Sequence, residues 1–168
     1  MRLDLVCAAA SRDNGKPTQL AGCGVIVRLT DSHKRVQTRE FGWALGGSTA
    51  NLAEIMAARL ALSSVLPQFR GYTARLFISS RYVDDLLKMD GQHFVVSPSK
   101  NKQEVEELRR WYGYYKDIAV YRYNRYTDRS DVGVLAECIV RAKELANRAL
   151  ESQEHFDSGT TGLNDAAP

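Results

Sequence analysis

Apolar and polar positions change their period several times along this chain, and each change marks an element. Leu3 to Ala10 is a nearly unbroken apolar run interrupted by Asp4, the pattern of a strand covered on both faces. Asn14, Gly15 and Pro17 then mark a turn. A second strand is predicted from Ala21 to Leu29 and, after a polar turn at Asp31 to Lys34, a third from Arg35 to Trp43. The third partly alternates polar with apolar residues, as an edge strand with one wet face does. The period then becomes helical. Leu52, Ile55, Met56, Leu60 and Ser63 recur along a helix predicted from Asn51 to Val65, stopped by Pro67. Asn51 and Glu54 have capping-box spacing at its start.

The second half alternates short strands with helices. Ala74 to Ser79 is predicted as a buried strand, Arg81 to Met89 as a helix, and Asp90 to Asn101 as irregular. Lys102 to Tyr114 is predicted as a helix, Ile118 to Tyr123 as a strand, and Val132 to Ser152 as a long closing helix. Leu135, Cys138, Ile139, Ala142, Leu145, Ala146 and Ala149 form the apolar stripe of that last helix. Strands separated by helices add in parallel to an opening antiparallel meander. The expected class is therefore α/β, a mixed five-stranded sheet with helices packed on it. One domain over residues 1–152 is expected, with a disordered, patternless tail over 153–168.

Composition narrows the function classes. With 168 residues, 44% hydrophobic and 26% charged, the chain suits one globular domain with a proper core. It has no apolar run of membrane-spanning length and no leader pattern, so a cytoplasmic protein without membrane contact is expected. Cys7, Cys23 and Cys138 are odd in number and each lies in an apolar segment, which predicts buried free thiols. His33, His93 and His155 have no metal-ligand spacing. The net charge of +3 permits nucleic-acid binding without requiring it.

Four local motifs, in order, resemble those of ribonuclease H. The run Ala8, Ala9, Ala10, Ser11, Arg12, Asp13, Asn14, Gly15 resembles the end of that family's first strand and its following turn. Gly22, Cys23, Gly24 and the apolar residues after them resemble its second strand. Thr49, Ala50, Asn51, Leu52, Ala53, Glu54 resemble the start of its first helix, and Lys143 to Leu150 its closing helix. The likeness spans residues 3 to 150 and implies the ribonuclease H-like fold.

The chemistry implied by the resemblance is in-line phosphodiester hydrolysis assisted by two magnesium ions, which needs converging carboxylates. The four positions that supply them in the family correspond here to Ala8, Glu54, Ser79 and Lys143. One carboxylate of four remains, and one replacement is a cation. The expectation is a pseudo-nuclease without metal or cofactor. Lys143 either pairs with Glu54 or points into water, with Glu54 serving its own helix cap. Asp4, Asp13, Asp84 and Asp85 do not have the family's placement.

The resemblance also implies contacts to nucleic acid at Arg12, Asn14, Asn51 and Arg81. Such contacts read duplex shape and 2′-hydroxyls and need no metal. Taken singly, Asn14 reads sooner as a turn residue and Asn51 as an N-cap than as contacts. The run Tyr121 to Arg129 interleaves tyrosine with arginine, which adds Arg125 and Arg129 as contacts to bases or phosphates and equally suits a protein interface. Expected partners are a nucleic-acid duplex or RNA, and proteins of a larger assembly, with no small-molecule substrate. The competing expectation is an active metal-dependent ribonuclease H that cuts RNA in RNA/DNA hybrids with a rearranged site.

Overall fold

A computed structural model of the chain describes residues 1–124 and 132–162. Strands β1 (Arg2–Arg12), β2 (Leu20–Thr30) and β3 (Val36–Gly46) form the antiparallel meander. Helix α1 (Ala50–Ser63), strand β4 (Thr73–Ile78) and helix α2 (Arg81–Leu87) follow. A two-stranded hairpin, β5 (Met89–Asp90) and β6 (His93–Phe94), occupies part of the stretch expected to be irregular. Helix α3 (Lys102–Tyr112), strand β7 (Ile118–Arg122), helix α4 (Val132–Ser152) and strand β8 (Phe156–Gly162) complete the order. No helix among the described residues is long and apolar enough to cross a membrane.

The strands form one sheet in the order β7-β4-β1-β2-β3-β8, with β4 and β7 added in parallel to β1 as expected. Period-two alternation along β1 divides its side chains between two cores. Leu3, Leu5 and Cys7 face α1, α2 and α3, packing with Ile55, Leu62, Val83 and Leu108. Val6 and Ala8 face α4, packing with Ile26, Phe77, Leu135, Ala142, Leu145 and Ala146. Helices α1 and α4 thus cover opposite faces of the sheet.

Contact between α4 and β2 is close enough to involve backbone. A Cβ on Gly22 would lie 2.4 Å from the Leu150 nitrogen, and one on Gly24 2.1 Å from the Ala142 oxygen. Buried Asp4 (5% exposed) neutralises arginines from neighbouring strands, with Arg75 Nε at 2.7 Å and Arg28 Nη1 at 3.4 Å.

The sixth strand departs from the expected tail. Residues 156–162 pair antiparallel with β3, and residues 163–168 lie outside the described set. Phe156 seats its ring over Gly42 and under the Arg148 guanidinium, 4.3 Å from the ring centroid. The His155 ring stacks on Trp43 at 4.0 Å, and its Nδ1 accepts from the Ala44 N–H at 3.0 Å. Arg39 and Asp157 form a two-pronged ion pair that holds the Asp157 carboxyl below the usual carboxylate range. A polar edge strand held by such singular contacts leaves no hydrophobic period in the sequence.

Gly42 is where this attachment can be tested. A Cβ there would lie 2.0 Å from Phe156 Cζ, the tip of a side chain that can swing away. Gly42→Ala is expected to release β8 and leave the main sheet intact. Amide exchange of residues 156–162 should then rise toward unstructured rates while global stability changes by about 1 kcal/mol or less. Retained slow exchange would show that Phe156 repacks.

Candidate functional site

Of the positions matched to the family's carboxylates, Glu54 and Ser79 meet at the C-terminal end of β4, but not as the sequence alone suggests. Helix α1 begins one residue early: Thr49, not Asn51, is its N-cap and accepts from the Leu52 N–H at 3.3 Å. Glu54 therefore serves no cap. Its half-buried carboxylate reaches the end of β4, where the Ser79 hydroxyl donates to Oε1 at 3.4 Å. Burial pushes the Glu54 carboxyl up to about 7, and the Ser79 hydrogen bond opposes that rise.

On β1 the neighbour of Glu54 is Cys7. Ala8, matched to the family's first aspartate, faces α4 across the sheet, whereas Cys7 and Ala9 face the Glu54 side. Burial, reinforced by the nearby Glu54 carboxylate, raises the Cys7 thiol well above its usual value. Its sulfur donates to the Phe77 carbonyl at 3.6 Å. Such a thiol stays protonated, the reverse of what a nucleophile or a metal ligand requires. Sequence reasoning missed Cys7 because an apolar run does not say which face of a doubly covered strand meets which helix.

The Lys143–Glu54 ion pair is not formed. Glu54 and Lys143 stand on helices that cover opposite faces of the sheet, and the exposed Lys143 ammonium lies 5.6 Å from the Tyr123 ring centroid. Tyr123 is the second residue that sequence reasoning passed over. Burial pushes its phenol up to about 12, hydrogen bonding with Ser79 opposes the rise, and Cys7 and Glu54 add to it. Ser79 is thus the common neighbour of Glu54 and Tyr123, and the ammonium sits beyond the tyrosine ring. The signal for Tyr123 lay in the tyrosine–arginine run, where its strand-end position adjoins Ser79.

This donor set fits two divalent ions poorly. Magnesium needs several hard oxygen ligands, and the site offers one carboxylate, hydroxyls and a protonated thiol. Among the described residues no three His, Cys, Asp or Glu side chains converge as a metal site. The other carboxylates are engaged elsewhere. Asp85 takes Lys88 at 2.6 Å and Arg81 at 3.7 Å, Asp84 takes Lys88 at 4.0 Å, and Asp13 accepts from Thr18 at 3.1 Å. Asp4 is held among its arginines.

The proposed nucleic-acid contacts fall on either side of this site. Asn14 Oδ1 accepts from the Ala50 N–H at 3.1 Å, tying the β1–β2 turn to the start of α1 beside exposed Asn51. Arg12 is exposed at the end of β1. Across Glu54 and Ser79, Ser80 caps α2, and Arg81 presents a side chain that is 78% exposed. Arg125 and Arg129 lie outside the described residues.

No family model matches the sequence, and no curated protein matches it either. Solved structures do match. LC9-RNase H1, a type 1 RNase H with the type 2 active-site motif, is 13% identical with a TM-score of 0.69, over 97% of this chain and 78% of that one. The PFV RNase H domain is 18% identical with a TM-score of 0.63, over 90% and 94% respectively. LC11-RNase H1, solved in complex with an RNA/DNA hybrid, is 19% identical with a TM-score of 0.58, over 90% and 98%. Six strands in this order, helices on both faces and these likenesses together establish that the chain has the ribonuclease H fold.

Proposed function

We propose that this protein binds a nucleic-acid duplex, foremost an RNA/DNA hybrid, without cutting it. One observation carries the reading: at the ends of β1 and β4, where hydrolysis needs converging carboxylates, Glu54 stands beside Ser79, Cys7 and Tyr123. A half-buried carboxyl whose ionisation burial opposes is a poor anchor for a divalent ion, and among the described residues no three His, Cys, Asp or Glu side chains converge there.

The surface that remains has the chemistry of duplex recognition. Asn14 and Asn51 offer amides at the start of α1, suited to the 2′-hydroxyls and base edges of a shallow minor groove. Arg12 and Arg81 offer guanidiniums to phosphates on either side. Arg125 and Arg129 extend the basic run by their place in the sequence. Two similar proteins, LC11-RNase H1 and a foamy viral protease-reverse transcriptase, are solved with RNA/DNA hybrids, which favours the same class of partner here. A duplex held without turnover suits a subunit that positions nucleic acid inside a larger assembly.

The reading predicts a salt-dependent shift of a labelled hybrid. Contacts to two to four phosphates should weaken binding by roughly tenfold to a hundredfold between 50 and 200 mM salt. With magnesium or manganese present the hybrid should stay intact. Cleavage that disappears in Glu54→Gln would establish an active nuclease and end this reading. No shift at low salt, with stable co-purification of a protein partner, would favour a purely architectural role.

A further inference from the structure

We infer that Lys143 supplies the positive charge of this site and receives one backbone phosphate of the bound duplex. The inference rests on the duplex-binding reading and adds the contact nearest the former reaction centre.

The ammonium is placed rather than merely exposed. It lies 5.6 Å from the Tyr123 ring centroid, where attraction to the ring face favours one position over free swinging. Tyr123 is in turn held at the end of β4 by its N–H, which donates to the Ile78 carbonyl at 3.0 Å. Nothing acidic neutralises the ammonium among the described residues. Its helix neighbour Glu144 is paired with Arg141 at 3.3 Å, and Arg141 also holds Glu40 at 2.9 Å. Glu54 accepts from Ser79 instead.

The ammonium and the tyrosine ring therefore lie together beside the C-terminal end of β4, next to the Ser79 hydroxyl in sequence. Phosphodiester oxygens carry one negative charge and accept several hydrogen bonds, which matches a cation with neutral donors beside it. Arg81 stands beyond Ser80 and can take a neighbouring phosphate.

The test compares wild type with Lys143→Gln and Lys143→Arg, titrated against a labelled RNA/DNA hybrid over a range of salt. Loss of one phosphate contact should reduce the slope of log K against log salt by about one and weaken binding roughly threefold to tenfold. Lys143→Arg should keep the slope. Because Lys143 is exposed, thermal unfolding of both variants should match wild type. In parallel, NMR follows the Tyr123 ring resonances on addition of inorganic phosphate, with shifts expected in wild type and absent in Lys143→Gln.

If wild type binds the hybrid and Lys143→Gln binds with the same slope and affinity, Lys143 is not a contact, although duplex binding stands. If the hybrid does not bind but phosphate moves Tyr123 in a Lys143-dependent way, the anion site stands and the duplex reading falls. If neither is seen, both fall.

Discussion

Gly24→Ala is expected to cost this fold roughly 3 kcal/mol, the upper range for forcing an extra carbon into a packed core. The added Cβ would lie 2.1 Å from the Ala142 oxygen, 2.6 Å from the Ala146 nitrogen and 2.7 Å from the Leu145 Cβ. Two of these atoms are helix backbone, so no rotamer change relieves them. Relief requires α4 to lift from the sheet, and that would strip cover from Val6, Ala8, Ile26 and Phe77 together. At about 2–4 °C per kcal/mol for a domain of this size, the melting temperature should fall by roughly 6–12 °C. Gly71→Ala is the control, because a Cβ there meets nothing within 4 Å. Urea or thermal melts that show equal stability for the two variants would mean that α4 is not seated against Gly24 as described.

Glu54→Gln is expected to stabilise the protein, and only at higher pH. Burial raises the folded-state carboxyl from 4.5 to about 7. Below about 4.5 the folded and unfolded chains both hold the proton and no penalty exists. Between 4.5 and about 7 the folded chain keeps a proton that the unfolded chain has lost, so stability falls as pH rises. Above that window both states are ionised and the full cost of the buried charge remains, about 3 kcal/mol on an order-of-magnitude scale. Glutamine carries no charge and still accepts from Ser79. Denaturant curves for wild type and Glu54→Gln should coincide near pH 4 and separate progressively to pH 8, with the variant more stable. Parallel curves across that range would show that the carboxylate is well solvated, which would reopen the site to a metal.

The same burial bears on function. A carboxylate that must hold a divalent ion has to be ionised at working pH and joined by others. Glu54 is neither freely ionised nor joined by a second carboxylate among the described residues.

Most of the architecture was legible in the chain. The apolar run at Leu3 to Ala10, the helical period from Leu52 to Ser63 and the alanine-rich stripe of the last helix predict β1, α1 and α4, with the ends of β1 and α1 shifted by one or two residues and those of α4 unchanged. Gly22 and Gly24 were readable as motif residues, and the close approach of α4 supplies their physical reason. That Ser79 and Lys143 are not carboxylates is read from residue identity alone.

Tertiary structure decided what depends on faces and distances. An apolar strand covered on both sides has no polar marker to say which helix each residue meets, so only the packing assigned Cys7 to Glu54 and Ala8 to α4. The side-chain direction of Lys143 followed from α4 lying on the face opposite α1, which separates the ammonium from Glu54 and leaves it above Tyr123. Strand β8 is held because Phe156, His155 and Asp157 meet Gly42, Trp43 and Arg39 of β3, contacts between residues more than a hundred positions apart that no local period encodes. The sequence by itself determined most of the elements and the count of acidic groups, since periodicity and composition are local properties. Which groups touch is a property of the packed sheet, and it decided between the two alternatives for Lys143 by setting the ammonium on the face opposite the half-buried Glu54 carboxyl.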